Sequence, residues 1–142
     1  MRIVYTYGVF DLLHPGHILL LERARALGDY LIVGIVSDEV IRRSKGNGRP
    51  INTELERAQV VKALRCVDRV VHQGESDPTQ TLVSLNDSGV LITVIVHGDD
   101  FFPLKDTQTV KKMGIDVVSL SYSTGYSTTK IIKKIKSMGD LK

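Results

Sequence analysis

The chain has 142 residues, the size of one domain, and its 42% hydrophobic and 25% charged residues are typical of a globular protein rather than a disordered one. Its only cysteine, Cys66, excludes an intrachain disulfide and with it a secreted, disulfide-stapled fold. No apolar run approaches the roughly 20 residues of a membrane span, and the N-terminus has no signal-peptide stretch. We therefore expect one domain over 1–142, in the cytoplasm, with no membrane partner.

The formal net charge is +3, and lysines concentrate near the C-terminus at Lys130, Lys133, Lys134 and Lys136. A basic stripe indicates nucleic-acid binding only beside a recognised motif, and the sequence has none. A solvated helix face with some attraction for anionic small molecules is the favoured interpretation. We expect no nucleic-acid partner.

In chain order, the first half predicts a strand over 2–8, a helix over 16–27, a strand over 30–37, a helical turn over 38–43, a helix from 53 to about 65 and a strand over 69–72. The run YLIVGIVS is nearly continuous in apolar residues, which is typical of a strand buried on both faces of a parallel sheet. Thr53 and Glu56 fit a capping box. The glycine-rich segment SKGNGRP is predicted to be a mobile loop that includes Lys45.

The second half predicts a helix from 77 to about 86, a strand over 91–97, a short helix over 110–113, a strand over 115–121 and an amphipathic helix over 127–138. Asp77 and Pro78 supply an N-cap and a first-turn proline. Strands that alternate with helices predict an α/β fold, a single-domain, Rossmann-like, doubly wound, five-stranded parallel sheet with helices on both faces.

The most informative segment is GVFDLLHPGH, from Gly8 to His17, between the first strand and the first helix. In a doubly wound sheet, ligands bind beyond the carboxyl ends of the strands where the strand order reverses. Gly8 and Gly16 permit close backbone approach, and the first amides of the helix attract an anion. Imidazoles of His14 and His17 can donate to an α-phosphate as charge builds during in-line attack.

For an arbitrary H-x-x-H pair, helix capping or simple solvation is the more common explanation, and zinc binding would need further ligands that the sequence does not supply. The ten-residue context favours function. It resembles the G-x-F-D-x-x-H-x-G-H motif of the cytidylyltransferase-like nucleotidyltransferases. The segment YSTGYSTTK, from Tyr122 to Lys130, is similar to that family's second motif, in which hydroxyls and amides at a helix start hold phosphates.

The resemblance covers nearly the whole chain and includes two branches, glycerol-3-phosphate cytidylyltransferases and the heptose 1-phosphate adenylyltransferase domain of lipopolysaccharide core biosynthesis. SKGNGRPIN and GYSTTKIIKKI are more similar to the heptose branch, whereas the segments at Arg65 and Asp99 are more similar to cytidylyltransferases. Cytidylyltransferases usually have an arginine where this chain has Tyr122, so a cation near the triphosphate is missing. We expect ATP rather than CTP.

The resemblance implies transfer of a nucleoside monophosphate to a phosphorylated acceptor, such as heptose phosphate, glycerol phosphate or FMN, with release of pyrophosphate. It implies Mg²⁺ bound with the nucleotide, no resident metal, and a homodimer. The implied catalytic residues are His14, His17 and Lys45. The implied nucleotide-binding residues are Gly8, Val9, Phe10, Asp11, Gly16, Arg65, His97, Asp99, Asp100, Tyr122, Gly125, Tyr126, Ser127 and Thr128.

Several of these residues have a structural alternative. Lys45 could be a solvated lysine, Asp11 a turn-forming aspartate, and Arg57 and Arg65 surface partners of nearby carboxylates. At the level of the whole chain, a non-catalytic nucleotide-binding regulatory domain is the alternative, although binding alone needs no histidines. A dinucleotide-dependent oxidoreductase is disfavoured because G-x-G-x-x-G does not follow the first strand.

Overall fold

A computed structural model describes residues 1–98, 102–120 and 125–139. The strands are β1 (Ile3–Gly8), β2 (Tyr30–Val36), β3 (Arg69–Gln73), β4 (Val94–His97) and β5 (Asp116–Ser119). The helices are α1 (Pro15–Arg25), α2 (Asp38–Lys45), α3 (Glu54–Lys62), α4 (Thr79–Asp87), α5 (Thr107–Lys112) and α6 (Thr128–Met138).

The five strands form one parallel sheet in the order β3-β2-β1-β4-β5, which confirms the predicted sheet. The chain winds outward from β1 through β2 to β3 and then returns to place β4 on the other side of β1. The strand order therefore reverses between β1 and β4, where Thr6 is in register with Val96. Loops that leave the carboxyl ends of these two strands flank the crevice in which such sheets bind ligands.

Two apolar clusters lie on opposite faces of the sheet. One packs α1 and α3 against it through Leu20, Leu21 and Val61, and the other packs α2, α4 and α5 against it. The strand β2 contributes side chains to both clusters, which explains its unbroken apolar run. Helices cover both faces, as predicted.

The element ends differ from the predictions by a few residues at most elements, and three of these differences have a clear cause. Lys45 is the last residue of α2 rather than part of the loop, because Ser37 caps a helix that continues until Gly46 adopts a φ of 92°. Pro78 is itself the N-cap of α4, while the Asp77 carboxylate accepts from the Thr79 amide. The strand β4 begins only at Val94, since Leu91 is exposed and lies outside the sheet.

Within the described residues, no helix is long and apolar enough to cross a membrane.

Candidate active site

The loop between β1 and α1 has a strained backbone. Phe10 and Leu12 have φ values of 54° and 50°, a region that non-glycine residues rarely occupy. Each such residue costs on the order of 1–3 kcal/mol, so the surrounding structure must hold the loop in place. Strain of this kind concentrates at functional sites.

Asp11, between the two strained residues, holds this loop, residues 9–14 and hereafter the histidine loop, to the 46–52 loop between α2 and α3. Its carboxylate is buried and accepts from the backbone amides of Ile51 at 2.7 Å and Asn52 at 2.9 Å. Its backbone carbonyl accepts from the Thr128 hydroxyl at 2.7 Å, at the start of α6. Three separate segments therefore meet at one aspartate, whose role is to orient the loops.

Arg57 provides the second fastening, and its helix-surface interpretation is wrong. The side chain is fully buried under the loop and donates from Nη1 to the Val9 carbonyl at 2.7 Å and from Nε to the Asn52 carbonyl at 3.1 Å. Its Nη2 donates to the Val36 carbonyl at 2.9 Å and to Asp38 Oδ1 at 2.7 Å. One guanidinium thus joins the histidine loop, the 46–52 loop and the end of β2.

His14 and His17 cap helix α1 and stack on each other, with ring centroids 3.6 Å apart. His14 Nδ1 accepts from the Gly16 amide at 3.1 Å, and His17 Nδ1 accepts from the His14 amide at 3.2 Å. An Nδ1 that accepts carries no proton, so in each neutral ring the proton is on Nε2. Capping and phosphate binding are therefore compatible, because the cap uses Nδ1 and leaves Nε2–H available as a donor.

Both rings are held neutral at physiological pH. Burial lowers the pKa of His14. Burial, together with the adjacent His14 ring, which would repel a second proton, and the Lys45 ammonium, lowers the pKa of His17 to about 3. Phe10 contributes to this burial, since its ring meets the His17 ring edge-on at 5.5 Å. Two neutral donors placed side by side need no change of protonation to receive a phosphate.

The two histidines open onto a cleft of about 260 Å³. Its other described lining residues come from the end of α2, the 46–52 loop and the start of α6: Lys45, Arg49, Tyr126, Ser127, Thr128 and Thr129. Among these described lining residues, none is acidic, and two, Lys45 and Arg49, are basic. The first amides of α6 add partial positive charge, so the cleft suits a polyanion such as a triphosphate.

Ser127 and Thr128 have structural roles as well. The Ser127 hydroxyl caps α6 by accepting from the Lys130 amide at 3.0 Å. Gly125 has a φ of 76°, which explains the glycine before this cap. Tyr126 stacks on His14 at a centroid distance of 6.2 Å, with about half of its side chain exposed.

Comparison with known proteins agrees with this geometry. The family model described as "Cytidylyltransferase-like" matches residues 5–134. The chain belongs to this family. The predicted resemblance to the cytidylyltransferase-like nucleotidyltransferases is thereby confirmed.

The chain is 41% identical over 138 residues to the "Bifunctional protein HldE" of Geotalea uraniireducens, covering 96% of this chain and 27% of that protein. It is also 41% identical over 141 residues to the "Bifunctional protein HldE" of Haemophilus influenzae, covering 98% of this chain and 29% of that protein. The chain thus spans less than a third of the length of these relatives.

Among solved structures, the chain is similar to the lipopolysaccharide core biosynthesis protein of Thermoplasma volcanium, with a TM-score of 0.69 and 34% identity, covering 89% of this chain and 99% of that one. The fold also matches Thermotoga maritima TmcAL bound with alpha-thio ATP, at a TM-score of 0.67 and 15% identity, covering 99% of this chain and 51% of that one.

Other predicted nucleotide-binding residues lie outside the cleft or outside the described residues. Arg65 lines a different surface groove beside Cys66, and His97 has its Nδ1 3.3 Å from the Gly98 carbonyl. Neither is among the described residues that line the histidine cleft. Asp99, Asp100 and Tyr122 fall outside the described residues. Their assignment to the nucleotide stays a prediction.

Gly8, Val9, Phe10 and Gly16 act through the loop rather than as cleft walls. Phe10 folds back over Gly8, where an added Cβ would lie 3.1 Å from the ring. The Val9 carbonyl and the Gly16 amide are taken by Arg57 and His14. Sequence reasoning missed Arg49 and Thr129 in the cleft. The available signal for Arg49 was its place in the same glycine-rich segment that suggested Lys45.

Proposed function

We propose that this chain transfers an adenylyl group from ATP to a sugar 1-phosphate of the heptose class and releases pyrophosphate. The observation that supports this most directly is the pair of stacked neutral histidines with Nε2–H donors at a cleft whose described lining has no carboxylate. The sugar phosphate is supported by the relatives, one of which is named for lipopolysaccharide core biosynthesis.

In the proposed reaction, an oxygen of the acceptor phosphate attacks the α-phosphorus of ATP. A new P–O bond forms, the bond from the α-phosphorus to the bridging oxygen of the β-phosphate breaks, and that oxygen leaves with pyrophosphate. The acceptor phosphate is already anionic at neutral pH, so no general base is needed and positioning supplies much of the catalysis. His14 and His17 donate from Nε2 to the non-bridging α-oxygens as their charge grows.

Lys45 is suited to the leaving group. It is at the end of α2 on the same cleft, and its charge acts on His17. An ammonium there neutralises charge on the departing pyrophosphate. The first turn of α6, with Thr128 and Thr129, offers amides for the β- and γ-phosphates.

Mg²⁺ would arrive with the nucleotide. Among the described residues, no group of three His, Cys, Asp or Glu side chains is placed to hold a metal ion. The Asp11 carboxylate is buried, and each of its oxygens accepts from a backbone amide. The ion would be coordinated by phosphate oxygens and water, and would add positive charge where the triphosphate binds.

The histidine roles can be separated by substitution. Asparagine keeps an acceptor near the Nδ1 position, and therefore the helix cap, but removes the Nε2–H donor. We expect His14→Asn and His17→Asn each to lose at least ~10²-fold in turnover, with little change in stability. Pyrophosphate release from ATP or CTP would be measured with heptose 1-phosphate, glycerol 3-phosphate and FMN as acceptors.

Near-normal turnover in both variants would reduce the histidines to capping residues. Nucleotide binding by the wild type without release of pyrophosphate on any acceptor would favour a non-catalytic nucleotide-binding domain. Faster turnover with CTP and glycerol 3-phosphate would assign the chain to the cytidylyl branch.

A further inference from the structure

Arg49 lines the histidine cleft, and one nitrogen of its guanidinium has no hydrogen-bond acceptor among the described residues. Within the described part of the chain, its Nε is buried and has no hydrogen-bond partner. The buried Arg57, by contrast, donates from all three of its nitrogens to protein oxygens. The residues that the structure describes therefore supply acceptors for every nitrogen of the Arg57 guanidinium but not for Arg49 Nε.

A buried cationic donor without a partner is unfavourable, and native structures rarely retain one without a reason. Carboxylates usually pair with such a group, but none of the described residues that line this cleft is acidic. A guanidinium presents a planar fork of donors that fits two phosphate oxygens at once. The unpaired donor is thus suited to an anion that enters from outside.

The position of Arg49 is fixed by the same clamp that holds the histidine loop. Its amide donates to the Gly46 carbonyl at 3.2 Å. Two and three residues further on, the amides of Ile51 and Asn52 each donate to the Asp11 carboxylate. Lys45 comes just before this loop and lines the same cleft. The loop therefore presents a preorganised guanidinium opposite the first turn of α6.

We infer that Arg49 binds the β,γ-diphosphate portion of the nucleotide. This inference rests on the proposed function for the identity of the nucleotide. It assigns a binding group to the leaving pyrophosphate and separates its recognition from that of the α-phosphate.

The test compares Arg49→Ala with Arg42→Ala, which removes the same charge from an exposed position of α2. Dissociation constants for ATP, AMP and inorganic pyrophosphate would be measured by calorimetry, alongside turnover. Loss of a charge-assisted hydrogen bond corresponds to roughly tenfold to hundredfold weaker binding. We expect that loss for ATP and pyrophosphate in Arg49→Ala, unchanged AMP binding, partial recovery in Arg49→Lys, and less than about twofold change in Arg42→Ala.

Arg49→Ala should remain folded, because the change removes a buried donor that lacks a partner. The inference would be overturned if Arg49→Ala weakened the binding of AMP and ATP equally, or if it bound ATP as tightly as Arg42→Ala. In either case, turnover by the wild type would leave the proposed function standing. The proposed function would be overturned, and the inference kept, if the wild type turned over no acceptor but bound pyrophosphate more tightly than Arg49→Ala. A wild type that binds neither ATP nor pyrophosphate would overturn both.

Discussion

Replacement of Arg57 tests whether the candidate site is assembled by buried hydrogen bonds rather than by its local motif. Arg57→Ala removes bonds to the carbonyls of Val9, Val36 and Asn52 and to one oxygen of Asp38. The three carbonyls lose a charged donor. The Asp38 side chain is 28% exposed, so its carboxylate can recover water.

Removal of one partner from a buried, charge-assisted network typically costs about 3–5 kcal/mol. Because Asp38 is partly solvated and water can enter the vacated space, the lower part of this range is expected, about 3 kcal/mol. Small domains have roughly 5–15 kcal/mol of stability in total, so the variant should fold but with a lower midpoint in urea. Arg57→Lys should fall between it and the wild type, because an ammonium cannot reproduce the planar fork.

The assay is urea unfolding, with Arg23→Ala on the exposed side of α1 as the matched control. A readout specific to the site comes from hydrogen exchange at the Ile51 and Asn52 amides, which Asp11 holds only while the two loops stay together. A loss below about 1 kcal/mol, equal to that of Arg23→Ala, would refute the argument that this guanidinium holds the loops in place.

Three further outcomes are expected. First, the lowered pKa of His17, about 3 when folded against an ordinary 6.5, means that below pH 6.5 the unfolded chain takes up a proton that the folded chain does not. The free energy of unfolding should therefore fall by about 1.4 kcal/mol for each pH unit between these two values as the pH decreases. In His17→Asn, the free energy of unfolding measured over this pH range should lose this contribution to its slope. Second, Gly34→Ala should destabilise by about 2–4 kcal/mol in thermal or urea unfolding, whereas Gly48→Ala should be neutral. An added Cβ at Gly34 would lie 1.9 Å from the Tyr5 hydroxyl, while at Gly48 nothing lies within 4 Å. Third, Asp11→Asn should lower turnover and make the 46–52 loop more sensitive to protease, because an amide nitrogen would replace one of two oxygens that each accept a backbone amide. Equal protease sensitivity in the wild type and this variant would contradict the clamp.

The fold was predictable because its signals are local. The apolar run of β2 and the capping box at Thr53 indicate their elements directly, and the structure confirms both. Element ends were less predictable, as at Lys45, because a helix continues until its backbone turns at Gly46.

Within the site, the histidine motif and the start of α6 were found from the sequence, but the two arginines that distinguish it were not. Arg57 is followed by Ala58 and Gln59 in a helix and has the local context of any surface arginine; only the loops packed above it make it buried. Arg49 has the context of a mobile loop. The loop that carries it is bonded to Asp11 through the amides of Ile51 and Asn52, a contact over some 40 residues that no local pattern predicts.

These contacts also explain why the histidines can serve the fold and the chemistry together. The loop that carries them includes two strained residues, Phe10 and Leu12, and would relax if left alone. It is held from three sides, by Arg57 from α3, by the amides of Ile51 and Asn52, and by the Thr128 hydroxyl at the start of α6. Two of these elements, the 46–52 loop and α6, also place Arg49 and Thr128 in the cleft. The same contacts therefore restrain the histidine loop and place the phosphate-binding groups. A mutation that removes one of these contacts should change the geometry of the cleft before it changes the sheet.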